Sequence, residues 1–214
     1  MRPPSRTLGV AFSDGTRHSR VAGAVVRADA TLDGLGFERC TVGGTDATDA
    51  VADLVRALGR EDVRHVACDG IAPAWFNVLD LRRLHEDLDV PVYSVSYEPS
   101  PGLEPALREA FDGDALANRL ATYRSLPPRV RVETADGNEA TPLFVRAVGL
   151  DSDEAAAAAR GLVGEGFRRP EPLRVAGLAA SAFREATEED DSTEADEAAE
   201  TDEAADGGDP DGPE

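Results

Sequence analysis

The stretch His65-Val66-Ala67-Cys68-Asp69-Gly70-Ile71-Ala72-Pro73-Ala74-Trp75-Phe76-Asn77 decides the fold, because an apolar run ends there abruptly in Asp-Gly. A short segment such as Val63 to Cys68, with charge before it and glycine after it, reads as a buried central strand. Asp69 then stands at the carboxyl end of that strand, where open α/β sheets place their ligands. Asp-Gly is also ordinary turn chemistry, so the acid taken alone fits a site or a turn.

The order of the surrounding segments narrows the choice. Thr7 to Phe12, Arg20 to Arg27 and Leu32 to Thr41 read as strands joined by short links, which makes them an antiparallel meander. The period then changes: Ala50, Val51, Leu54, Val55 and Leu58 recur at helical spacing, with Thr45 or Thr48 as the expected N-cap and Gly59 closing the segment. After the strand ending at Asp69 come an amphipathic helix near Asn77 to Leu88 and a strand at Val92 to Ser96. Helical stretches follow around Leu103 to Phe111 and Asp114 to Tyr123. Val130 to Thr134 and Leu143 to Val148 flank Asp136-Gly137-Asn138, a hairpin signal. Ala155 to Gly161 and Ala176 to Phe183 read as later helices. The expected fold class is α/β: an RNase H-like mixed sheet, with a three-strand antiparallel meander, then alternating helix and strand, and flanking helices.

Enzymes of that fold gather carboxylates from the first strand, the first helix and the end of the fourth strand, and Asp14, Asp46 and Asp69 are the candidates for both catalysis and metal binding. Close carboxylates repel unless a hard cation neutralises them, and Mg²⁺ or Mn²⁺ prefers such oxygen ligands. An ion pair held there can align the attacking water and the leaving oxygen of a phosphodiester.

Several motifs also resemble the archaeal endonuclease dU family, which is related in fold to endonuclease V. They are Gly9-Val10 through Asp14-Gly15, Gly43-Gly44-Thr45-Asp46-Ala47-Thr48, Asp69-Gly70-Ile71 with Trp75-Phe76-Asn77-Val78-Leu79-Asp80, and Pro170-Glu171-Pro172-Leu173-Arg174-Val175-Ala176. The resemblance spans roughly residues 7 to 184. It implies a divalent-metal-dependent endonuclease acting near a deaminated base such as deoxyuridine, with nucleic acid as partner, DNA ahead of RNA. Two positions depart from the family pattern. Ala11 stands where the pattern has Asp directly after Gly-Ile, and Gly43 replaces the first Asp of Asp-Gly-x-Asp. Asp14 arrives three residues after Ala11, about 10 Å further along an extended strand. Either a bulge or longer turn re-aims Asp14 at the site, or the first ligand is missing. In the second case the chain would be a non-catalytic nucleic-acid-binding or regulatory protein of the same fold.

Other residues have two readings each. Trp75 is placed to wedge beside or stack on an extruded base, and Phe76 to do the same or to plug the core. Asn77 could donate to a phosphate or cap the following helix. Arg168, Arg169 and Arg174 could position phosphates or pair with neighbouring acids. Cys40 and Cys68 lack metal-ligand spacing and read as buried thiols. His18, His65 and His85 carry no motif.

Composition bears on the setting. The chain has 22 Lys+Arg against 42 Asp+Glu, for a net charge of -20, and all the bases are arginine. Lysine-free acidic usage suits a halophilic archaeon with a very salty cytoplasm, where repulsion is screened within about 3 Å at 1 M salt. The absence of lysine excludes Schiff-base chemistry and a Walker-type phosphate loop. Fifteen acids and no base fall between Glu185 and Glu214. The expected division is therefore a domain at 1–184 and an acidic disordered tail at 185–214, the tail either mimicking nucleic acid or serving solubility. No apolar run approaches the ~20 residues that span a bilayer, so a cytoplasmic protein without membrane partner is expected.

Overall fold

The computed structural model describes residues 5–133, 142–164 and 166–187. Asp136-Gly137-Asn138 and the tail beyond residue 187 lie outside the described residues.

The meander forms as β1 (Arg6–Asp14), β2 (His18–Arg27) and β3 (Leu32–Thr41). Helix α1 (Ala47–Leu58) leads into β4 (Val63–Asp69), followed by a single helical turn α2 (Pro73–Phe76), α3 (Leu81–Leu88) and β5 (Val92–Ser96). Helices α4 (Glu104–Ala110) and α5 (Gly113–Ser125) precede β6 (Val130–Val132), β7 (Leu143–Val148) and α6 (Ser152–Gly161). A last helix, α7, covers residues 171–187. The seven strands form one sheet in the order β3-β2-β1-β4-β5-β7-β6. β1, β4 and β5 are parallel, and the flanking pairs are antiparallel.

Side-chain alternation sorts the sheet into two cores. Leu8, Val10, Val66, Cys68 and Val92 pack with Val51 and Leu54 of α1 and Leu81 and Leu84 of α3. On the opposite face, Ala67, Tyr93 and Val95 pack with Ala155 and Ala159 of α6 and Leu173 of α7, and Ala11 packs with Ala176. Among the described residues no helix is long and apolar enough to cross a membrane.

Local departures from the expected elements have identifiable causes. α1 closes at Gly59 in the left-handed conformation as expected, but its N-cap residue is Asp46 rather than Thr45 or Thr48. α3 starts at Leu81, four residues later than expected, because the Asp80 side chain accepts from the backbone N–H groups of Arg82 and Arg83. α7 runs past Arg184 to residue 187, and Thr187 Oγ1 accepts from Arg20 Nε at 2.6 Å.

Gly9 shows how α7 is seated. A Cβ at this position would lie 2.3 Å from both the carbonyl carbon and the oxygen of Pro172, so the first turn of α7 rests directly on β1. Backbone cannot yield as a flexible side chain does. Gly9→Ala is expected to lower stability by about 2–3 kcal/mol, measured by chemical denaturation, because overpacking of a closed core costs that much. A change under ~0.5 kcal/mol would mean that α7 can lift without loss.

Candidate nucleic-acid site at the carboxyl ends of the central strands

Asp69 ends β4 and opens into a cavity of about 520 Å³. Its wall comes from the ends of β4 and β5 (Asp69, Ser96, Tyr97) and from the segments before β6 and α7 (Arg129, Arg168, Arg169). The parallel strands β1, β4 and β5 all point their carboxyl ends toward this side, which is where such sheets leave room for a ligand.

Asp69 is 19 % exposed at its side chain, and its Oδ2 accepts from Arg169 Nη1 at 2.9 Å. Burial pushes its carboxyl above the usual carboxylate range, while the Arg169 charge opposes that shift. The Arg169 guanidinium also lies 4.9 Å from the centre of the Tyr97 ring. Arg129 stacks 4.0 Å from the Phe144 ring and donates to Ser96 Oγ at 2.8 Å. Arg168 is 59 % exposed and lies 3.9 Å from the Glu98 carboxylate. Two carboxylates, Asp69 and Glu98, among three guanidiniums leave the cavity wall with a net positive charge, an anion-attracting place on an acidic chain.

The three candidate carboxylates do not gather there. β1 runs through Asp14 in unbroken register with β2, ending at the Asp14–Ser19 pair, so no bulge re-aims the side chain. Asp14 has the same parity as Leu8 and Val10 and therefore faces α1, where it accepts from Ser19 Oγ at 2.7 Å. Asp69 has the parity of Ala67 and faces α7. The two thiols report the same division. Burial pushes the Cys40 thiol up to about 12, with Asp46 and Asp14 adding to the shift. The Cys68 thiol is likewise raised to about 12 by burial and then by Asp69.

The residue that does stand beside Asp69 is Ala11. β1 and β4 are in register at Gly9–Ala67 and Val10–Cys68, and one step further Ala11 lies opposite Asp69 on the same face. Its side chain is 1 % exposed.

Asp46 is engaged elsewhere. Its carboxylate accepts from the Thr41 backbone N–H, from Thr41 Oγ1 at 2.8 Å and from Asn77 Nδ2 at 2.7 Å. Burial works against its charge, yet the hydrogen bonds from Thr41 and Asn77 hold the carboxyl below its ordinary value. Asn77 is fully buried, donates also to the Thr41 carbonyl, and accepts from the Ala47 N–H at 3.0 Å. It does cap a helix, but the helix is α1 rather than α3. Its amide is thus committed within the protein, away from any phosphate. Among the described residues, no group of three His, Cys, Asp or Glu side chains is placed to hold a metal ion.

Of the arginines named from the sequence, Arg168 and Arg169 line the cavity, whereas Arg174 is bound in bidentate fashion to Glu171 at 2.6 and 2.7 Å. Arg129 and Tyr97 were not singled out by sequence reasoning. Both reach the cavity only because β5 pairs with β4 on one side and with β7 on the other.

The loop leaving Asp69 carries a second unusual feature. Ala74, Trp75 and Phe76 have φ of +47°, +51° and +63°, a left-handed turn built from residues with side chains. Such residues cost about 1–2 kcal/mol each, so the surroundings must impose the shape. Arg119 of α5 does so from a buried position: Nε donates to the Phe76 carbonyl at 3.1 Å, and Nη2 donates to the Gly43 and Gly44 carbonyls. Its guanidinium also lies 3.9 Å from the Phe111 ring centre.

Comparison with known proteins agrees with this architecture. The UPF0215 protein of Thermococcus kodakarensis is 35 % identical over 193 residues, covering 85 % of this chain and 93 % of that one. A protein of unknown function from Archaeoglobus fulgidus superposes with a TM-score of 0.73 at 24 % identity, covering 84 % of this chain and 98 % of that one. Endonuclease V of Ciona intestinalis, in complex with a DNA containing an inosine followed by a ribo-adenosine, superposes with a TM-score of 0.56 at 12 % identity, covering 85 % and 86 %. The family model described as endonuclease dU matches residues 4–184. With that match over residues 4–184, and with the sheet order of an RNase H-like fold, the chain belongs to the endonuclease dU family.

Proposed function

We propose that this chain is a nuclease that takes a nucleic-acid strand at the cavity beside Asp69 and cleaves near a deaminated base such as deoxyuridine. The observation that carries the reading is a partly buried carboxylate at the carboxyl end of β4, ringed by Arg129, Arg168 and Arg169. The family's name and the inosine-containing DNA on endonuclease V support the substrate class. Guanidiniums grip phosphate oxygens in bidentate fashion and set the register of a strand without reading its sequence.

The residues fit one divalent ion and not a pair. Of the three candidate aspartates, Asp14 and Asp46 are turned to other partners, which leaves Asp69 as the one that could hold Mg²⁺ or Mn²⁺. A single carboxylate is compatible with Mg²⁺, which retains several waters and takes substrate phosphate oxygens as further ligands. Bound there, the ion would supply Lewis-acid charge to a phosphate oxygen and a more acidic water. The side chains of this chain would do the rest: Arg168 and Arg129 orient the strand, and Arg169 exchanges Asp69 for phosphate when the strand arrives.

A second reading, binding without cleavage, is favoured by one specific observation, the buried Ala11 where a second carboxylate would face Asp69. One assay separates the two: single-stranded and duplex oligonucleotides containing uracil, hypoxanthine or no lesion, in molar KCl, with Mg²⁺, Mn²⁺ or chelator. The nuclease reading expects metal-dependent cuts near the lesion that disappear in Asp69→Asn. That variant should remain at least as stable as the parent at neutral pH. The native carboxyl is raised above its unfolded value, so stability from this group is lost as pH rises through the native value, and the amide escapes that loss. Tight binding without cuts under any of these conditions would establish the second reading.

A further inference from the structure

We propose that Trp75 is a base-stacking platform, held out from the surface by the left-handed turn that Arg119 clamps. The inference rests on the reading that the cavity beside Asp69 takes a nucleic-acid strand.

Trp75 is 54 % exposed, the most costly kind of side chain to leave in water, yet it is not loosely placed. One side of the indole rests on Gly43, so closely that a Cβ there would come within 2.8 Å of a ring carbon. The Phe111 ring centre lies 5.1 Å away at a tilt of 53°. Gly43 N–H donates to the Ala74 carbonyl at 2.7 Å, which ties the turn to the loop before α1. A relaxed backbone at Ala74 and Trp75 would turn the indole elsewhere, so the fold sustains strain in order to present this ring. Strain of that kind accumulates where a side chain must be presented to a ligand.

The location selects the occupant. Trp75 follows Asp69 by six residues, and six residues of chain reach at most about 20 Å, so one bound strand can touch both the arginine-lined cavity and the indole. An unstacked base offers a π-face of any sequence, and an anionic backbone beside it suits the arginines.

Trp75 is the chain's one tryptophan, so its emission reports on this ring alone. The experiment titrates the full chain with a labelled oligothymidylate, following strand anisotropy and tryptophan emission together, for the parent, Trp75→Phe and Trp75→Gly. Emission of the parent should be quenched in step with the anisotropy rise. Trp75→Gly should weaken binding roughly 5- to 150-fold, the range given by one stacked base, and Trp75→Phe should keep most of the affinity. The loss should persist as KCl increases, because stacking releases no counterions. Far-UV circular dichroism confirms that each variant is folded. Binding with unchanged emission, or with full affinity in Trp75→Gly, overturns the platform and leaves the cavity reading intact. No binding by the parent overturns the cavity reading and the platform with it.

Discussion

Ala11→Asp is expected to lower the thermal midpoint of the metal-free protein by roughly 5–10 °C and to create a Mn²⁺ site at least tenfold tighter than that of the parent. The substitution puts a second carboxylate opposite Asp69 on the adjacent parallel strand, at the strand spacing of about 4.8 Å. Ala11 is buried against Ala24, Val26 and Ala176, so a lone charge there is poorly solvated and faces a like charge. A cost of about 3 kcal/mol corresponds to that midpoint shift in a domain of this size. Metal reverses it: a ligand at 100 times its dissociation constant restores about 2.7 kcal/mol. Asp14→Ala, on the other face of the sheet, should leave Mn²⁺ binding unchanged. Calorimetric titration and thermal scans with and without Mn²⁺ measure all of this. Metal affinity lost in Asp14→Ala, with no gain in Ala11→Asp, would show that β1 rearranges to bring Asp14 into the site.

Arg119→Ala should cost about 4 kcal/mol of stability. The side chain is 6 % exposed, and its removal leaves the Phe76, Gly43 and Gly44 carbonyls without their donors and the Phe111 ring without its cation. Each buried group left unsatisfied costs about 1–3 kcal/mol. Burial lowers the guanidinium's own affinity for its proton, so part of the gain is offset by its desolvation. Lysine would not rescue the loss, because an ammonium cannot span carbonyls from two loops in a planar fork. Urea denaturation followed by the single tryptophan would read both the global midpoint and the local turn. A loss below 1 kcal/mol would show that the left-handed turn holds itself.

Much of this frame was legible in the sequence. The strand ending at Asp69, the meander, α1 with its closing Gly59 and β5 follow from hydrophobic period and turn residues, which are local properties. What failed to show was long-range. The end of β1 depends on pairing with Ser19 across the hairpin, and Ser13-Asp14-Gly15 reads equally as a turn. Asn77 looked like the start of a helix, yet its amide reaches thirty residues back along the chain to Ala47 and closes around Asp46. Arg119 sits on a helix with little apolar-polar asymmetry, where arginine ordinarily points to water, and its contacts with the Gly43–Gly44 and Phe76 loops enclose it. Of the candidate arginines, Arg168 and Arg174 are alike in sequence. Glu171, three residues before Arg174, removes that residue from the cavity.

The central claim is that the cavity beside Asp69 receives a nucleic-acid phosphate backbone, and salt dependence tests it most directly. Affinity for a labelled single strand is measured across a KCl series in which the protein stays folded, for the parent, Arg168→Ala and Arg129→Ala. If each guanidinium neutralises a phosphate, each variant should bind more weakly, and the slope of log affinity against log salt should become shallower by about 0.7 per lost contact. Parent and variants with superimposable salt curves would contradict the account, because the strand would then be bound somewhere else.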